Sequence, residues 1–353
     1  MKRILLVGAG HAHTVVLKSL RDAPLLGARV TLVSPRPRQL YSGMLPGVVA
    51  GLYRREEALI DVQRLADAAH AEFVRGEVVW LDALRRTATL KDGRSLPYDH
   101  ASLNAGSLVD ASVPGASEHA RPVKPPDAFA ETILQELAAQ PIHVALAGGG
   151  AGGAEIAMAL RRRGAIVTLY SEASAFAPRL GRRVAAALRR AGVDYRAGMP
   201  VTALEPGPVV VSGPAQQAFD MVLWASGAAP LRWLGSSGLE SDERGFVLVD
   251  ETLRSVSHPE VFAAGDCATL RDAAHPRSGV SAVRHGQVLA HNLRATVAGG
   301  PLKRYSPQRG ALMLLSCGGR YAIASRGPFS AEGWWVWRLK DWLDRRWMRD
   351  LSR

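Results

Sequence analysis

The sequence predicts an α/β protein with two Rossmann-like nucleotide-binding domains, each a doubly wound, three-layer unit, the second nested in the first. Two observations carry this prediction. A glycine-rich turn between a buried strand and a helix occurs twice along the chain, and each turn is followed by another buried strand. Many of the 35 glycines cluster at these turns and at two later strand ends. A small C-terminal α+β region is expected to complete the fold.

The first unit opens with an apolar strand over residues 2–7, a glycine turn, and a helix around residues 13–20. Residues 28–34 are rich in β-branched side chains and end at a proline turn, which indicates a second parallel strand. The alternating stretch 74–96 predicts antiparallel strands with a turn at Asp92-Gly93. These elements form one βαβ unit followed by a meander.

The same pattern repeats in the middle of the chain. The second copy comprises a strand at 141–147, a glycine turn at 148–153, helices at 154–163 and 182–191, and a strand at 165–170. Both copies close with a strand that ends in small residues and a glycine, at 98–106 and at 220–227. Two tandem copies of one architecture are therefore expected.

The remaining elements suggest how the copies are nested. A third glycine-ended strand is predicted at 261–268, a helix at 278–297, and two or three short strands before a terminal helix. The proline-containing stretch 107–140 is interpreted as a crossing between domains. The expected bounds are 1–112 with 240–300 for the first domain, 113–239 for the second, and 301–353 for the C-terminal region.

Composition limits the function classes. Lys plus Arg total 44 against 32 Asp plus Glu, a net charge of +12, but the sequence has no nucleic-acid-binding signature and no nucleic-acid partner is expected. The two cysteines, Cys267 and Cys317, have neither redox-pair nor zinc-site spacing, so no metal site is expected. The stretch 141–160 contains Glu155 and five glycines, which excludes a membrane span.

The first glycine turn has the spacing of a pyrophosphate site. Gly8 makes a tight turn, Gly10 lets the backbone approach a phosphate, and the following helix offers free N–H groups. His13 replaces the small third residue of the fingerprint, and Ser34-Pro35 stands where a ribose-binding acid is usual. Taken alone, this motif leaves a nucleotide site and a simple turn both open.

The second glycine turn carries a complete fingerprint. Residues 148–153 (GGGAGG) lie between a strand and a helix, the context that this motif requires. Glu172, after the next strand, is placed to accept a hydrogen bond from a ribose 2′-hydroxyl, which favours NADH. It could equally be an exposed loop carboxylate, and Arg179, Arg182 and Arg183 could instead accept a 2′-phosphate.

The order of four motifs resembles the pyridine nucleotide–disulfide oxidoreductase superfamily. These motifs are GAG at 8–10, GGGAGGAE at 148–155, LWASGAAP at 223–230 and VFAAGDCA at 261–268. Within the superfamily the chain looks like type II NADH dehydrogenases. It looks closer still to the flavoprotein domain found fused to selenophosphate synthetases, through GHAH at 10–13, SPRPRQLYSGMLPG at 34–47 and LKDWLDRRWM at 339–348.

The resemblance implies FAD in the first domain and NAD(P)H in the second. The residues it places at FAD are Gly8, Ala9, Gly10, His11, Ala12, Ser34, Pro35, Met44, Leu45, Pro46, Val78, Val79, Ala105, Gly106, Gly265, Asp266 and Ala282. The residues expected at NAD(P)H are Gly148, Gly150, Ala151, Gly153, Glu155, Glu172, Ala225, Ser226 and Gly227. An alternative reading of Gly265-Asp266 is a local Asx turn.

The electron path is expected to use no thiol. Residues 34–60 contain no cysteine, so the redox disulfide of the disulfide reductases is missing. Quinone-reducing relatives carry two glutamines where this chain has Arg284-His285. Arg284 would stabilise an anionic reduced flavin or acceptor, and His285 would deliver a proton; the alternative is that both side chains face solvent. This substitution puts a quinone acceptor in doubt without excluding it.

The terminal helix bears on the same question. Tryptophan and leucine recur at helical spacing, interleaved with arginines, which suggests an interfacial membrane anchor; packing on the body or at a homodimer interface is the alternative. This stripe consists of Trp335, Leu339, Trp342, Leu343, Trp347 and Leu351.

The sequence therefore predicts an FAD-dependent NAD(P)H dehydrogenase that passes electrons to a quinone-like acceptor. Its location would be cytoplasmic, with peripheral contact to the inner face of the membrane. The alternatives are reduction of a selenium or sulfur compound, and a slow flavin redox sensor or partner subunit.

Overall fold

The computed structural model describes residues 1–139, 142–172, 176–273, 275–308 and 310–353. The predicted start of the second-copy strand, at Pro141, lies outside these residues. The helices are α1 (His11–Asp22), α2 (Leu45–Val49), α3 (Val62–Ala68), α4 (Ala116–His119), α5 (Pro126–Ala139), α6 (Ala151–Arg162), α7 (Pro178–Arg190), α8 (Gly279–Ala298) and α9 (Trp334–Ser352). Short 3-10 turns cover Arg55–Ala58, Arg232–Leu234 and Gly265–Cys267.

The strands alternate with these helices along the chain. In the first half they are β1 (Lys2–Val7), β2 (Ala28–Ser34), β3 (Arg38–Leu40), β4 (Leu59–Asp61), β5 (Glu72–Arg75), β6 (Val78–Asp82), β7 (Thr87–Leu90), β8 (Ser95–Pro97), β9 (His100–Leu103), β10 (Arg121–Pro122), β11 (His143–Ala147) and β12 (Ile166–Ser171). In the second half they are β13 (Asp194–Ala197), β14 (Ala203–Glu205), β15 (Val209–Ser212), β16 (Ala215–Ala218), β17 (Met221–Trp224), β18 (Val247–Val249), β19 (Val261–Ala263), β20 (Ala268–Leu270), β21 (Met313–Ser316), β22 (Ala322–Arg326) and β23 (Phe329–Gly333).

Two parallel five-stranded sheets confirm the predicted tandem architecture. The first has the order β19-β9-β1-β2-β5 and the second the order β10-β17-β11-β12-β13. Each is accompanied by an antiparallel three-stranded meander, β6-β7-β8 and β14-β15-β16. Because β19 returns to the first sheet after the second sheet is complete, the second unit is nested within the first.

Apolar strands explain the central sheet positions. The strands β1 and β11 are buried between helices on both sides, and their inner residues are almost fully shielded from solvent. Helix α1 packs against α8 on one face of the first sheet, and α6 packs against β12 in the second. This packing brings the N-termini of α1, α6 and α8 to the carboxyl edges of the strands, where nucleotides bind in open α/β sheets.

The C-terminal region is a β21-β22-β23 meander followed directly by α9. Helix α9 packs on the body through Val336, Lys340, Asp344, Met348 and Leu351, and these side chains are buried. The predicted apolar stripe is therefore divided, because Trp335, Leu339 and Trp342 lie exposed whereas Leu351 is buried. Among the described residues, no helix has the length and apolar character needed to cross a bilayer.

Candidate active site

Asn104 joins the parts of the first nucleotide site. Its side-chain oxygen accepts hydrogen bonds from the backbone N–H groups of Ala12 at 3.0 Å and His13 at 3.2 Å. Its amide nitrogen donates to the carbonyl oxygen of Ala264 at 2.6 Å. One buried side chain therefore links the start of α1, the end of β9 and the turn after β19.

The glycines of this site are needed for close approach. A Cβ atom on Gly8 would lie 2.7 Å from the Cα of Ala105, and one on Gly10 would collide with the Asn104 side chain. Gly265, at φ +73°, faces the other side of Asn104, and a Cβ there would come within 3.3 Å of the Ala282 methyl. The structure thus brings together four segments that the sequence assigned separately to FAD.

His13 takes the place of the small residue at the third fingerprint position. It is fully buried, with Nδ1 against the carbonyl oxygen of Gly8 and Nε2 2.8 Å from the Ser102 hydroxyl. Burial lowers the pKa of the imidazole to about 4, so it stays neutral. The larger side chain therefore ties the glycine turn to β9.

The segment around Tyr41 lies beside the same turn. The rings of His11 and Tyr41 are 5.5 Å apart, and His11 Nε2 lies 3.4 Å from the Ser42 hydroxyl. Gln39 donates to the carbonyl oxygen of Ala9. Met44, Leu45 and Pro46 are buried where α2 packs against α6. This segment therefore bridges the two nucleotide-binding units.

Four of the residues assigned to FAD, Ser34, Pro35, Val78 and Val79, lie at the carboxyl ends of β2 and β5 or in the segments that follow them. The Ser34 hydroxyl donates to the carbonyl oxygen of Arg36, ordering the turn that includes Pro35. Val78 is buried in the core at 7% exposure, whereas Val79 is 38% exposed. Of this pair, only the side chain of Val79 is substantially available to a ligand.

A lysine ammonium that was not predicted from the sequence lies against the Gly265-Asp266 turn. The Lys124 ammonium lies 2.8 Å from the Asp266 carboxylate and 3.0 Å from the Ser107 hydroxyl. Gly106, one residue earlier, is at φ +79° and faces open space, since an added Cβ would meet no atom within 4 Å. Nothing in the sequence pattern links Lys124 to this turn, because 142 residues separate the pair.

The second nucleotide site follows the full fingerprint. Gly148 packs against Ala225 and Ser226, so that a Cβ on it would lie 2.7 Å from the backbone of Ala225. Gly153 packs back onto the carbonyl of Gly148, and Gly227, at φ +63°, contacts Asp110. These contacts place the ends of β11 and β17 side by side.

The middle of this turn is open to a ligand. An added Cβ on Gly150 or Gly152 would meet no protein atom within 4 Å. Gly150 is the N-cap of α6 and provides no side-chain cap, so the N-terminus of α6, at Ala151, faces the open space. An anion such as a dinucleotide pyrophosphate fits this cradle. Glu172 follows β12 and is exposed at the same edge of the sheet.

Glu155 faces away from the fingerprint. Its carboxylate accepts a hydrogen bond from the backbone N–H of Ser316 at 2.8 Å. Burial raises the pKa of Glu155 to about 7, while the nearby Lys340 charge acts in the opposite direction. This residue was assigned to NAD(P)H from its place after the glycines, and the structure places it between α6, β21 and α9.

A buried ion pair on α9 continues this cluster. Lys340 Nζ lies 2.6 Å from the Asp344 carboxylate and 2.7 Å from the carbonyl oxygen of Gly43. The Tyr41 hydroxyl donates to Asp344 at 3.3 Å. We call Glu155, Lys340, Asp344 and Tyr41 the junction cluster, because it lies between the two nucleotide sites. Lys340 and Asp344 were not predicted from the sequence, although charges four residues apart among apolar helical positions were a signal.

A family model described as pyridine nucleotide-disulphide oxidoreductase matches residues 2–286 of the chain. The chain belongs to this family. It is similar to an NADH dehydrogenase-like protein from Mycobacterium tuberculosis, with 29% identity over 300 residues that cover 77% of this chain and 74% of that protein.

Two more distant proteins extend the comparison. The external alternative NAD(P)H-ubiquinone oxidoreductase B1 of Solanum tuberosum is 22% identical, and the match covers 76% of this chain and 55% of that protein. The solved structure of the sulfide:quinone oxidoreductase from Aquifex aeolicus has a TM-score of 0.83 at 17% identity, covering 99% of this chain and 91% of that chain. This likeness confirms the predicted fold class.

Family membership confirms the predicted cofactors, FAD and NAD(P)H, and the general activity of an NAD(P)H-dependent flavin oxidoreductase. The family name includes disulphide chemistry, but neither cysteine of this member is suited to it. Cys267 is fully buried and burial raises the pKa of its thiol to about 11. Burial raises the pKa of Cys317 to about 12. Both thiols are therefore protonated and weakly nucleophilic near neutral pH.

Arg284 and His285 differ sharply in their surroundings. His285 is fully buried, and its Nδ1 accepts a hydrogen bond from the backbone N–H of Gly265 at 3.0 Å. Burial lowers the pKa of the His285 imidazole to about 3, which argues against its predicted role as a proton-delivering imidazolium. Arg284 is partly exposed and lies near Tyr305. Burial raises the pKa of the Tyr305 phenol, and the Arg284 charge opposes that rise.

Proposed function

We propose that this flavoprotein transfers electrons from NAD(P)H through FAD to a quinone-like acceptor. The junction cluster is the observation that carries the proposal. A quinone that becomes a quinol takes up two protons as well as two electrons, so its reduction benefits from a titratable group inside the protein. Glu155 is such a group, because the pKa of its carboxyl is raised to about 7.

Both nucleotide sites adjoin this cluster. Glu155 lies in α6, one turn after Gly150 and Ala151, and Tyr41 lies next to His11 at the first site. FAD, when bound, supplies the two-electron chemistry that joins the nicotinamide to the acceptor. The glycine turns hold the nucleotides, and Asn104 keeps the first turn in place.

The junction cluster would control the protons. Near pH 7, Glu155 exists in both protonation states, so it can release a proton and take up another. The Lys340 ammonium favours the loss of that proton, because it stabilises the resulting carboxylate. Asp344 holds Lys340 in position through the 2.6 Å ion pair. Arg284 would provide a positive charge near the acceptor, and His285 would position Gly265.

A lipid-soluble acceptor also requires access to a membrane, and we propose that α9 provides it. Trp334, Trp335 and Trp342 are 61%, 50% and 49% exposed on one side of this helix. Arg338 lies over the Trp334 ring at 5.7 Å and Arg346 over the Trp342 ring at 5.3 Å. Tryptophan with arginine is the composition of helices that lie in the bilayer interface.

Anaerobic mixing of the FAD-loaded protein with NADH, and separately with NADPH, tests the first half of the proposal. Rapid loss of the flavin's visible absorbance with either nucleotide is expected, followed by recovery when a short-chain quinone is added. Reoxidation by a sulfur or selenium compound but by no quinone would overturn the proposed acceptor. Failure of both nucleotides to bleach the flavin would instead favour a redox sensor.

Substitution of Glu155 tests the proton-transfer role of the junction cluster. Glu155→Gln should slow reoxidation by quinone by about 100-fold, because it removes the proton-transferring group. Reoxidation by ferricyanide, which takes electrons without protons, should be unchanged in the same variant. Glu260→Gln is the matched control, since Glu260 is also a largely shielded carboxylate but pairs with Arg86 in the first unit. Equal slowing with both acceptors would contradict the proton-transfer role.

A further inference from the structure

A cluster of arginines lies on the second unit, outside the nucleotide sites. Arg179, Arg182 and Arg183 line an open cavity of about 540 Å³ between α7 and the turn that joins β22 to β23. Arg183 is held by the Ser330 hydroxyl at 3.0 Å and by Glu332 at 3.1 Å. Arg179 and Arg182 are exposed, and within the described part of the chain neither has a carboxylate partner.

The charge of this cavity favours an anion. Among the described residues, its lining has three guanidinium groups and one carboxylate, Glu332, which also pairs with Arg190 at 3.6 Å. Guanidinium groups bind phosphate oxygens through paired N–H donors, which makes a phosphate ester the matching chemistry. The cavity also has the size of a small-ligand pocket.

The surroundings of the cavity separate it from the nucleotide site. Its lining includes neither the glycine turn 148–153 nor Glu172, and instead includes Pro328, Phe329 and Ser330 of the C-terminal region. Phe329 is 78% exposed beside the arginines. A 2′-phosphate of NADPH is therefore a weaker match for this cavity than a ligand that also contacts the C-terminal region.

Exposed aromatic residues follow the cavity along the chain, from Phe329 into α9. Strand β23 begins at Phe329 and runs directly into Trp334, a distance of about 17 Å along an extended chain. Trp342 lies about 12 Å farther along the helix. Phe329, Trp334, Trp335 and Trp342 are all exposed, and Arg338 and Arg346 lie over the rings of Trp334 and Trp342.

We propose that this cavity binds the phosphate headgroup of an anionic membrane lipid while the exposed aromatic side chains enter the bilayer interface. The inference deepens, and rests on, the proposed membrane contact of α9. Aromatic side chains favour the interfacial layer of any bilayer, whereas the arginines favour only a bilayer with negative headgroups. The cavity would therefore give the enzyme a preference for anionic membranes.

Vesicle flotation of the FAD-loaded protein tests this preference. The vesicles contain phosphatidylcholine alone or phosphatidylcholine with phosphatidylglycerol, at physiological salt. The wild-type protein is expected to bind both and to bind the anionic vesicles more tightly. Arg179→Gln with Arg182→Gln should lower affinity for anionic vesicles by about thirtyfold, because each arginine near such a surface contributes about a factor of five.

The matched control removes the same charge elsewhere. Arg85→Gln with Arg94→Gln changes two exposed arginines in the β6-β7-β8 meander and should leave flotation unchanged. Trp334→Gln with Trp335→Gln and Trp342→Gln should weaken binding to both vesicle types. All variants should retain FAD and be reduced by the same nucleotide as the wild type, which shows that they are folded.

Several outcomes would overturn the headgroup site. Equal binding of the wild type to both vesicles would leave the membrane contact intact but remove the site, and binding to neither would remove both. Binding of soluble glycerol phosphate that is lost in the arginine variant, with flotation unchanged, would assign the cavity to a free phosphate ester. Weaker reduction by NADPH with unchanged flotation would assign the arginines to the nucleotide.

Discussion

The side-chain oxygen of Asn104 accepts a hydrogen bond from the backbone N–H of Ala12 at 3.0 Å, and this bond fixes the first turn of α1 against the end of β9. The same side chain accepts from His13 and donates to the carbonyl of Ala264, so three chain segments depend on one amide. The glycines at positions 10 and 265 are needed because this amide lies directly against both.

Asn104→Ala should therefore lose FAD and stability together. The change leaves buried donors and an acceptor without partners, at a cost of about 2–4 kcal/mol in the free energy of unfolding. Asn104→Asp keeps the accepting oxygens for Ala12 and His13 and should retain FAD better. Chemical denaturation and the fraction of flavin retained on gel filtration measure both effects. An alanine variant with unchanged flavin content would contradict this role of Asn104.

Gly150→Val should abolish reduction by NAD(P)H and leave FAD in place. The backbone at Gly150 has φ −68°, which any residue adopts, and an added Cβ meets no protein atom. The valine therefore fits the fold but occupies the space open to the pyrophosphate. Stopped-flow reduction by NADH and NADPH measures the loss.

Gly235→Val is the control for this substitution, because its Cβ also meets only ordinary contacts and Gly235 lies outside both turns. It should be reduced normally. If Gly150→Val is also reduced at the wild-type rate, the second glycine turn is not the nicotinamide nucleotide site.

The sequence predicted the parallel sheets well because their signals are local. The β-branched run of β2 and the glycine turn before α6 specify strand, turn and helix within a few neighbouring residues. The antiparallel meander β6-β7-β8 was also correctly expected from alternation around Asp92-Gly93. Helix α1 was predicted shorter than observed, because Gly10 and His11 gave no capping signal.

The candidate site was harder to predict because its side chains converge from distant positions. Lys124 meets Asp266 across 142 residues, and Tyr41 meets Asp344 across 303. No sequence pattern indicates either contact. Glu155 was singled out for its motif position, but its pKa is raised mainly by burial, and the polar neighbours that also act on it lie in β21 and α9, which no local pattern connects to it.

His285→Asn should retain both FAD and the rate of quinone reduction within about twofold. The asparagine oxygen can replace His285 Nδ1 as the acceptor for the N–H of Gly265, the hydrogen bond that the buried, neutral ring makes among the described residues. His285→Leu removes that acceptor and should cost about 1–3 kcal/mol in unfolding free energy. A large loss of quinone rate in the asparagine variant, without loss of stability, would restore His285 as a proton donor.

Glu155 should make the folded protein less stable as the pH rises. Because the pKa of Glu155 is about 7 when folded and about 4.5 when unfolded, the folded state holds more protons between these values. The stabilisation is complete below about pH 4.5 and is lost as the pH rises through 7, at most about 3 kcal/mol. Denaturation of the wild type and Glu155→Gln at pH 6 and pH 8 measures it.

The glutamine variant does not titrate, so its stability relative to the wild type should rise between these two pH values. A parallel response of the wild type and Glu155→Gln to pH would mean that the Glu155 carboxyl titrates normally, and the proposed proton-transfer role would lose its basis.

Replacing one partner of the ion pair between Lys340 and Asp344 should destabilise the protein, whereas replacing both partners should be tolerated. Both side chains are less than 10% exposed, so Lys340→Met leaves the Asp344 carboxylate buried without its cation, at a cost of about 3–5 kcal/mol. Replacing both residues, as Lys340→Met with Asp344→Leu, removes the uncompensated charge and should recover most of that loss. Thermal denaturation of the three proteins measures the coupling.

The double variant should nevertheless be slow with quinone and normal with ferricyanide, because packing restores the fold but not the charge beside Glu155. If the double variant regains quinone activity along with stability, the pair serves only to attach α9, and Glu155 acts without it.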